Sequence, residues 1–83
     1  MTYSIDWEPP AVAAASRYLA DDPDGLAALI TGIDALAAEP RPDESFPFGS
    51  PDLRRLHVGR YRVLYEISDD THEILITHIG RSG

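Results

Sequence analysis

The stretch Leu53-Arg54-Arg55-Leu56-His57-Val58-Gly59-Arg60-Tyr61-Arg62-Val63-Leu64-Tyr65-Glu66-Ile67 decides the fold. β-Forming residues interleave with charged ones on both sides of Gly59, the composition of two strands joined by a tight turn. Successive side chains of a strand point to opposite faces. Tyr61, Val63, Tyr65 and Ile67 therefore share one face, and Arg62, Leu64, Glu66 and Ser68 the other. The apolar face must be covered. Leu56 and Val58 match it in the preceding strand, which leaves Arg55 and His57 projecting with Arg62 from the open face. Arg60 has the parity of Arg62 and extends this patch, whereas Arg54 falls on the covered side and snorkels at an edge. Arg81, just beyond the last β-rich stretch, closes the patch from the adjacent strand end.

Reading outward, the turn signal Asp69-Asp70-Thr71 leads into His72 to Ile79, so Leu53–Val58, Tyr61–Ser68 and His72–Ile79 form an antiparallel meander. Upstream, four prolines between Pro40 and Pro51 rule out helix and predict a packed surface loop pinned to the core by Phe46 and Phe48. Before that loop, Leu26, Leu29, Ile30, Ile33 and Leu36 recur at helical spacing behind an Asp22 N-cap and Pro23. Gly32 inside this helix marks close packing of two helices. A shorter helix follows Glu8-Pro9-Pro10, with Val12, Ala15, Ser16 and Leu19 as its apolar stripe, and stops around Asp21. Thr2 to Trp7 alternates as a half-buried strand does. The resulting order β-α-α-β-β-β is an α+β arrangement. An N-terminal strand and an antiparallel helix hairpin precede the three-stranded antiparallel meander, in a single domain over residues 1–83.

Seven arginines, no lysine and 14 acids give a net charge of −7, which argues against wholesale nucleic-acid binding and confines any polyanion contact to a local patch. Up to Glu44 nine acids face only Arg17 and Arg41; the remainder balances five acids with five arginines, four of them between positions 54 and 62. With no cysteine there is no disulfide, thiolate nucleophile or Cys-based zinc site. No His/Asp/Glu spacing suggests a metal, no Gly-rich phosphate loop occurs, and no serine sits in a nucleophile motif, so no metal or cofactor is expected. The start MTYSIDWEPP has neither a basic head nor an apolar run, which predicts a soluble, cytoplasmic chain without signal peptide or membrane span. From composition and parity alone, arginines on an open face are solvated or paired with acids such as Glu66 and Glu73, and His57 and His78 are surface residues.

Position adds to this. The segment Leu53 to Ile67, the acidic turn Asp69-Asp70 and the strand Ile74-Leu75-Ile76-Thr77-His78-Ile79-Gly80-Arg81 resemble the RelE/ParE superfamily of bacterial toxins from type II toxin–antitoxin systems. The carrying pattern is a basic-apolar-basic strand, a Gly turn, Tyr-Arg-apolar-apolar-Tyr, an acidic turn, and an apolar strand ending in Gly and a basic residue. The resemblance implies a RelE-like toxin that inhibits translation by cleaving mRNA in the ribosomal A site without metal, through attack of the 2′-OH. It implies Arg62 as the stabiliser of the scissile phosphate, Arg55 and His57 as phosphate ligand and proton acceptor, Arg81 on the leaving side, and Arg60 as an RNA contact. Scission needs a base, cations and an acid, and imidazole titrates near neutrality. The same resemblance admits a ParE-like toxin that poisons DNA gyrase, or a weakly active or inactive homologue that serves only as partner of an antitoxin. In each case a cognate antitoxin protein is the expected partner.

Overall fold

The computed structural model describes residues 2–82. Its elements are β1 (Ser4–Trp7), α1 (Pro9–Asp21), α2 (Pro23–Ala35), β2 (Ser45–Ser50), β3 (Leu53–Val58), β4 (Tyr61–Ser68) and β5 (Glu73–Arg81). The strands form one sheet in the order β1-β5-β4-β3-β2, with β1 parallel to β5 and every other pair antiparallel. The predicted meander and helix hairpin are present, and the helices lie on one face of the sheet. No helix among the described residues is long and apolar enough to cross a membrane.

Proline ring geometry starts both helices, and Asp22 joins them. Its backbone N–H donates to Tyr18 O at 2.7 Å and closes α1. Its carboxylate accepts from Gly25 N–H at 3.1 Å and caps α2, as the sequence predicts. From α2 and its C-cap Leu36, the side chains of Leu26, Leu29, Ile33 and Leu36 are wholly buried in one core with Val63, Tyr65, Ile74 and Ile76, and burying each such side chain stabilises by about 1.5–3 kcal/mol. Ile30, at the margin of that stripe, stays partly exposed.

In α1 the buried face is Ala11 and Ala14, with Ala15 and Tyr18 packed beside them, while Val12 and Leu19 point outward. The expected stripe is thus out of phase, because small side chains let the helix sit close to the sheet and the larger ones do not fit there. Gly32 makes its close approach to β3 rather than to α1: a Cβ there would stand 2.9 Å from Val58 Cγ2.

The Pro40–Pro51 segment also departs from expectation, since Ser45–Ser50 is the edge strand β2 and Phe46 and Phe48 are about half exposed. Proline is tolerated at an edge when its nitrogen faces away from the ladder. His57 N–H donates to Glu44 O at 3.1 Å. Alternation from that bonded pair leaves Pro47, opposite Arg54, at a non-bonded position. Polar contacts, not phenylalanines, pin the segment. Tyr65 Oη donates to Pro40 O at 2.6 Å, and Arg54 donates to the Ser45 hydroxyl and carbonyl oxygens at 2.8 and 3.0 Å. Arg41 bridges Asp52 and Asp69 at 2.9 and 3.0 Å.

Candidate functional site

Sheet register assembles the site. Across the open face one row runs Phe46, Arg55, Leu64, His78, and the next runs His57, Arg62, Gly80. The β4–β5 register slips between Leu64 and Tyr65, where β5 carries Thr77 as an extra residue. Thr77 Oγ1 donates to Leu64 O at 3.1 Å across the slip. Upstream of it Ile74 and Ile76 face the helices; downstream Ile79 does. The bulge therefore turns His78 to the open face and shifts everything beyond it by one position.

A cavity of about 210 Å³ lies on this face, lined by Phe48, Arg55, Arg62, Leu64, His78 and Gly80. Among the described residues no carboxylate lines it. The Arg55 guanidinium lies over the Phe48 ring, 5.4 Å from its centroid, and its buried Nε has no hydrogen-bond partner among the described residues. Among the described residues neither Arg55 nor Arg62 forms an ion pair. A buried donor left unsatisfied is costly, so this geometry favours an acceptor, above all an anionic one. His57 stands in register with Arg62 but outside this lining; it is exposed, edge-on to Phe46 with ring centroids 5.9 Å apart, and borders a separate cavity with Pro42 and Glu44.

Arg60 and Arg81 go elsewhere. The Gly59 turn, with φ of 59°, interrupts strand alternation, so Arg60 does not keep the parity of Arg62. Its guanidinium reaches Asp22 Oδ2 at 3.5 Å on the helix side. Arg81 pairs in register with buried Tyr61, forms an ion pair with Asp21 at 2.6 Å and stacks over the Tyr18 ring at 4.7 Å. Asp21 raises the Arg81 guanidinium above its ordinary value. The hydrogen bond from Tyr61 Oη, 2.8 Å, is the main reason the Asp22 carboxyl lies below the usual carboxylate range, with the Gly25 N–H second.

The structure thus brings Arg55 and Arg62 together with His57 beside them, and separates Arg60 and Arg81 from that group. His78, Phe46 and Phe48 join the site unforeseen by sequence reasoning. A signal for His78 existed in the spacing Ile74, Ile76, Ile79, which breaks strict alternation. At the opposite end of the open face, Asp6, Glu66 and Glu73 surround a cavity of about 290 Å³. The face is polarised: cations and imidazoles that can hold a tetrahedral oxyanion and move protons at one end, carboxylates at the other.

The family profile described as ParE toxin of type II toxin-antitoxin system, parDE, matches residues 6–83. No curated protein matches the chain. Among solved structures, the toxin–antitoxin complex RelBE2 from Mycobacterium tuberculosis aligns with a TM-score of 0.81 at 21% identity, over 99% of this chain and 100% of that one. The archaeal RelE–RelB complex from Pyrococcus horikoshii OT3 gives 0.79 at 26% identity, over 100% and 98%. A free E. coli RelE toxin variant gives 0.79 at 20% identity, over 98% and 84%. The architecture agrees with theirs, and with the profile spanning residues 6–83 the chain belongs to the ParE toxin family of type II toxin–antitoxin systems, within the RelE/ParE superfamily.

Proposed function

We propose that this toxin cuts mRNA on the ribosome in the cytoplasm, holding the scissile phosphate in the cleft between Arg55 and Arg62. The observation that supports this reading is the cavity, free of carboxylates among the described residues, with an unsatisfied guanidinium donor and His78 in its lining, and with His57 in register with Arg62 beside it. The 2′-oxygen attacks phosphorus as the bond to the 5′-oxygen breaks, leaving a 2′,3′-cyclic phosphate and a 5′-hydroxyl. His57 takes the 2′-OH proton and His78 returns one to the leaving 5′-oxygen. Arg62 stabilises the charge that builds on the phosphorane oxygens, and Arg55 holds the phosphate. Arg60 and Arg81, tied to Asp22 and Asp21, support the end of the sheet and enter the chemistry only when those pairs open.

The partner that controls this activity is a cognate antitoxin protein, whose acidic residues complement Arg55 and Arg62. A second reading, a toxin that binds and poisons DNA gyrase, is favoured by the ParE description of the matching profile and by the net charge of −7. Mapping of mRNA ends in a translating extract, run beside a gyrase supercoiling assay, separates the two. Site-specific cuts that vanish in Arg62→Ala, with supercoiling intact, are expected. Inhibited supercoiling with intact mRNA would replace this reading by the second.

A further inference from the structure

Both phenylalanines of the chain lie outside the core, Phe46 at 55% and Phe48 at 48% exposure, side by side on edge strand β2. Such exposure forgoes the stabilisation that burial gives an aromatic ring, and folding alone does not account for it. Their surroundings are specific. Phe46 meets His57 edge-on at an interplanar angle of 87°, and Phe48 carries the Arg55 guanidinium on its face. Phe48 therefore borders the Arg55 cation of the cleft, and Phe46 stands in register with Arg55, on the side where the sheet has no further strand among the described residues. Adjacent strands lie roughly 5 Å apart. A phosphate held between β3 and β4 accordingly has β2 within reach of the base attached to the neighbouring sugar.

We infer that Phe46 and Phe48 form a stacking platform for bases of single-stranded RNA whose phosphate rests on Arg55 and Arg62. The inference rests on the RNA-cutting reading of the cleft. Aromatic faces beside a cationic groove hold single strands whatever their sequence, because every base presents a π-face. Paired strands keep their bases stacked inside and cannot use such rings. The acidic end formed by Asp6, Glu66 and Glu73 repels phosphate, so the RNA crosses the strands from β5 toward β2 rather than running along them. Aromatic and arginine side chains also mark protein contacts, but a lining free of carboxylates among the described residues, with an unsatisfied guanidinium donor, favours a polyanion.

Fluorescence anisotropy with an uncleavable 2′-O-methyl RNA hexamer, and with an abasic strand of the same backbone, tests this. The double variant Phe46→Leu, Phe48→Leu is expected to bind the hexamer ~10–100-fold more weakly, with unchanged affinity for the abasic strand, unchanged salt dependence and an unchanged unfolding temperature. Wild-type affinity of the double variant for the hexamer, with binding lost in Arg62→Ala, would overturn the platform and leave the phosphate site standing. Failure of the wild-type chain to bind the hexamer would overturn both together. Loss of antitoxin binding by the double variant, with its RNA affinity intact, would assign the rings to a protein contact and likewise overturn the inference.

Discussion

Arg55 and Arg62 end on the open face of the sheet without an ion pair among the described residues, whereas Arg60 and Arg81, carried by the turn and strand end beside them, end on carboxylates at the helix side. One pair is satisfied by Asp21 and Asp22. The other keeps its hydrogen-bonding capacity for something outside the chain. Guanidinium chemistry is the same in both; what differs is the parity that turn and bulge impose. Exposed ion pairs contribute little to stability, so the helix-side pair fixes geometry, and the open-face pair is the one available for binding.

The largest expected effect breaks the comparison at its functional end. Arg62→Ala should lower mRNA cleavage by ~10²–10³-fold, the range for losing one donor to a transition-state oxyanion, with the urea unfolding midpoint unchanged. Arg81→Ala should keep cleavage within about tenfold of wild type and lower the midpoint only slightly, a loss of about 0.5–1 kcal/mol, chiefly through the lost stacking on Tyr18. Equal losses of activity in the two variants would remove the distinction.

Next in size is a packing effect on the helix side. Gly32→Ala replaces a poor helix former with a good one, normally a gain of up to ~1 kcal/mol. Here the new methyl group meets Val58 Cγ2 at 2.9 Å, and a β-branched neighbour cannot swing away freely. Overpacking of about 1–3 kcal/mol should reverse the sign, so urea unfolding is expected to show net destabilisation of about 1 kcal/mol. Tyr61→Phe removes the donor to Asp22 and should cost about 0.5–1.5 kcal/mol in the same assay, with cleavage retained.

The smallest effect is the acid limb of the stability curve. Asp22, through Tyr61, and Asp69, chiefly through Arg41 and then Tyr3, have folded-state carboxyls held below the usual range. Their contribution is complete above about pH 4, where an unfolded Asp titrates, and is lost as pH falls through the lower folded values. Unfolding midpoints measured down the acid range should therefore fall less steeply in Asp22→Asn than in the wild type.

What was legible in the sequence follows from where one local rule acts alone. The alternation Tyr61, Val63, Tyr65, Ile67 fixed β4 and its faces, and the Asp22-Pro23 start fixed α2, because turn, cap and apolar period agree there. Arg54, read as reaching the covered side at an edge, binds Ser45 there. Illegible were the features set by tertiary context. Pro47 reads as loop until an edge position gives its nitrogen a free side. Val12 and Leu19 read as core until close approach of Ala11 and Ala14 excludes them. Arg60 and Arg81 read as cleft residues until the Gly59 turn and the Thr77 bulge change their parity, and that same bulge delivers His78 to the site.

A nuclear magnetic resonance titration of the arginine Nε–Hε signals with an uncleavable 2′-O-methyl RNA distinguishes the guanidinium groups that meet a phosphodiester from those that do not. Arg55 and Arg62 are expected to shift together and saturate with one affinity while Arg60 and Arg81 stay in place. Shifts confined to Arg60 and Arg81, with Arg55 and Arg62 silent, would contradict this assignment.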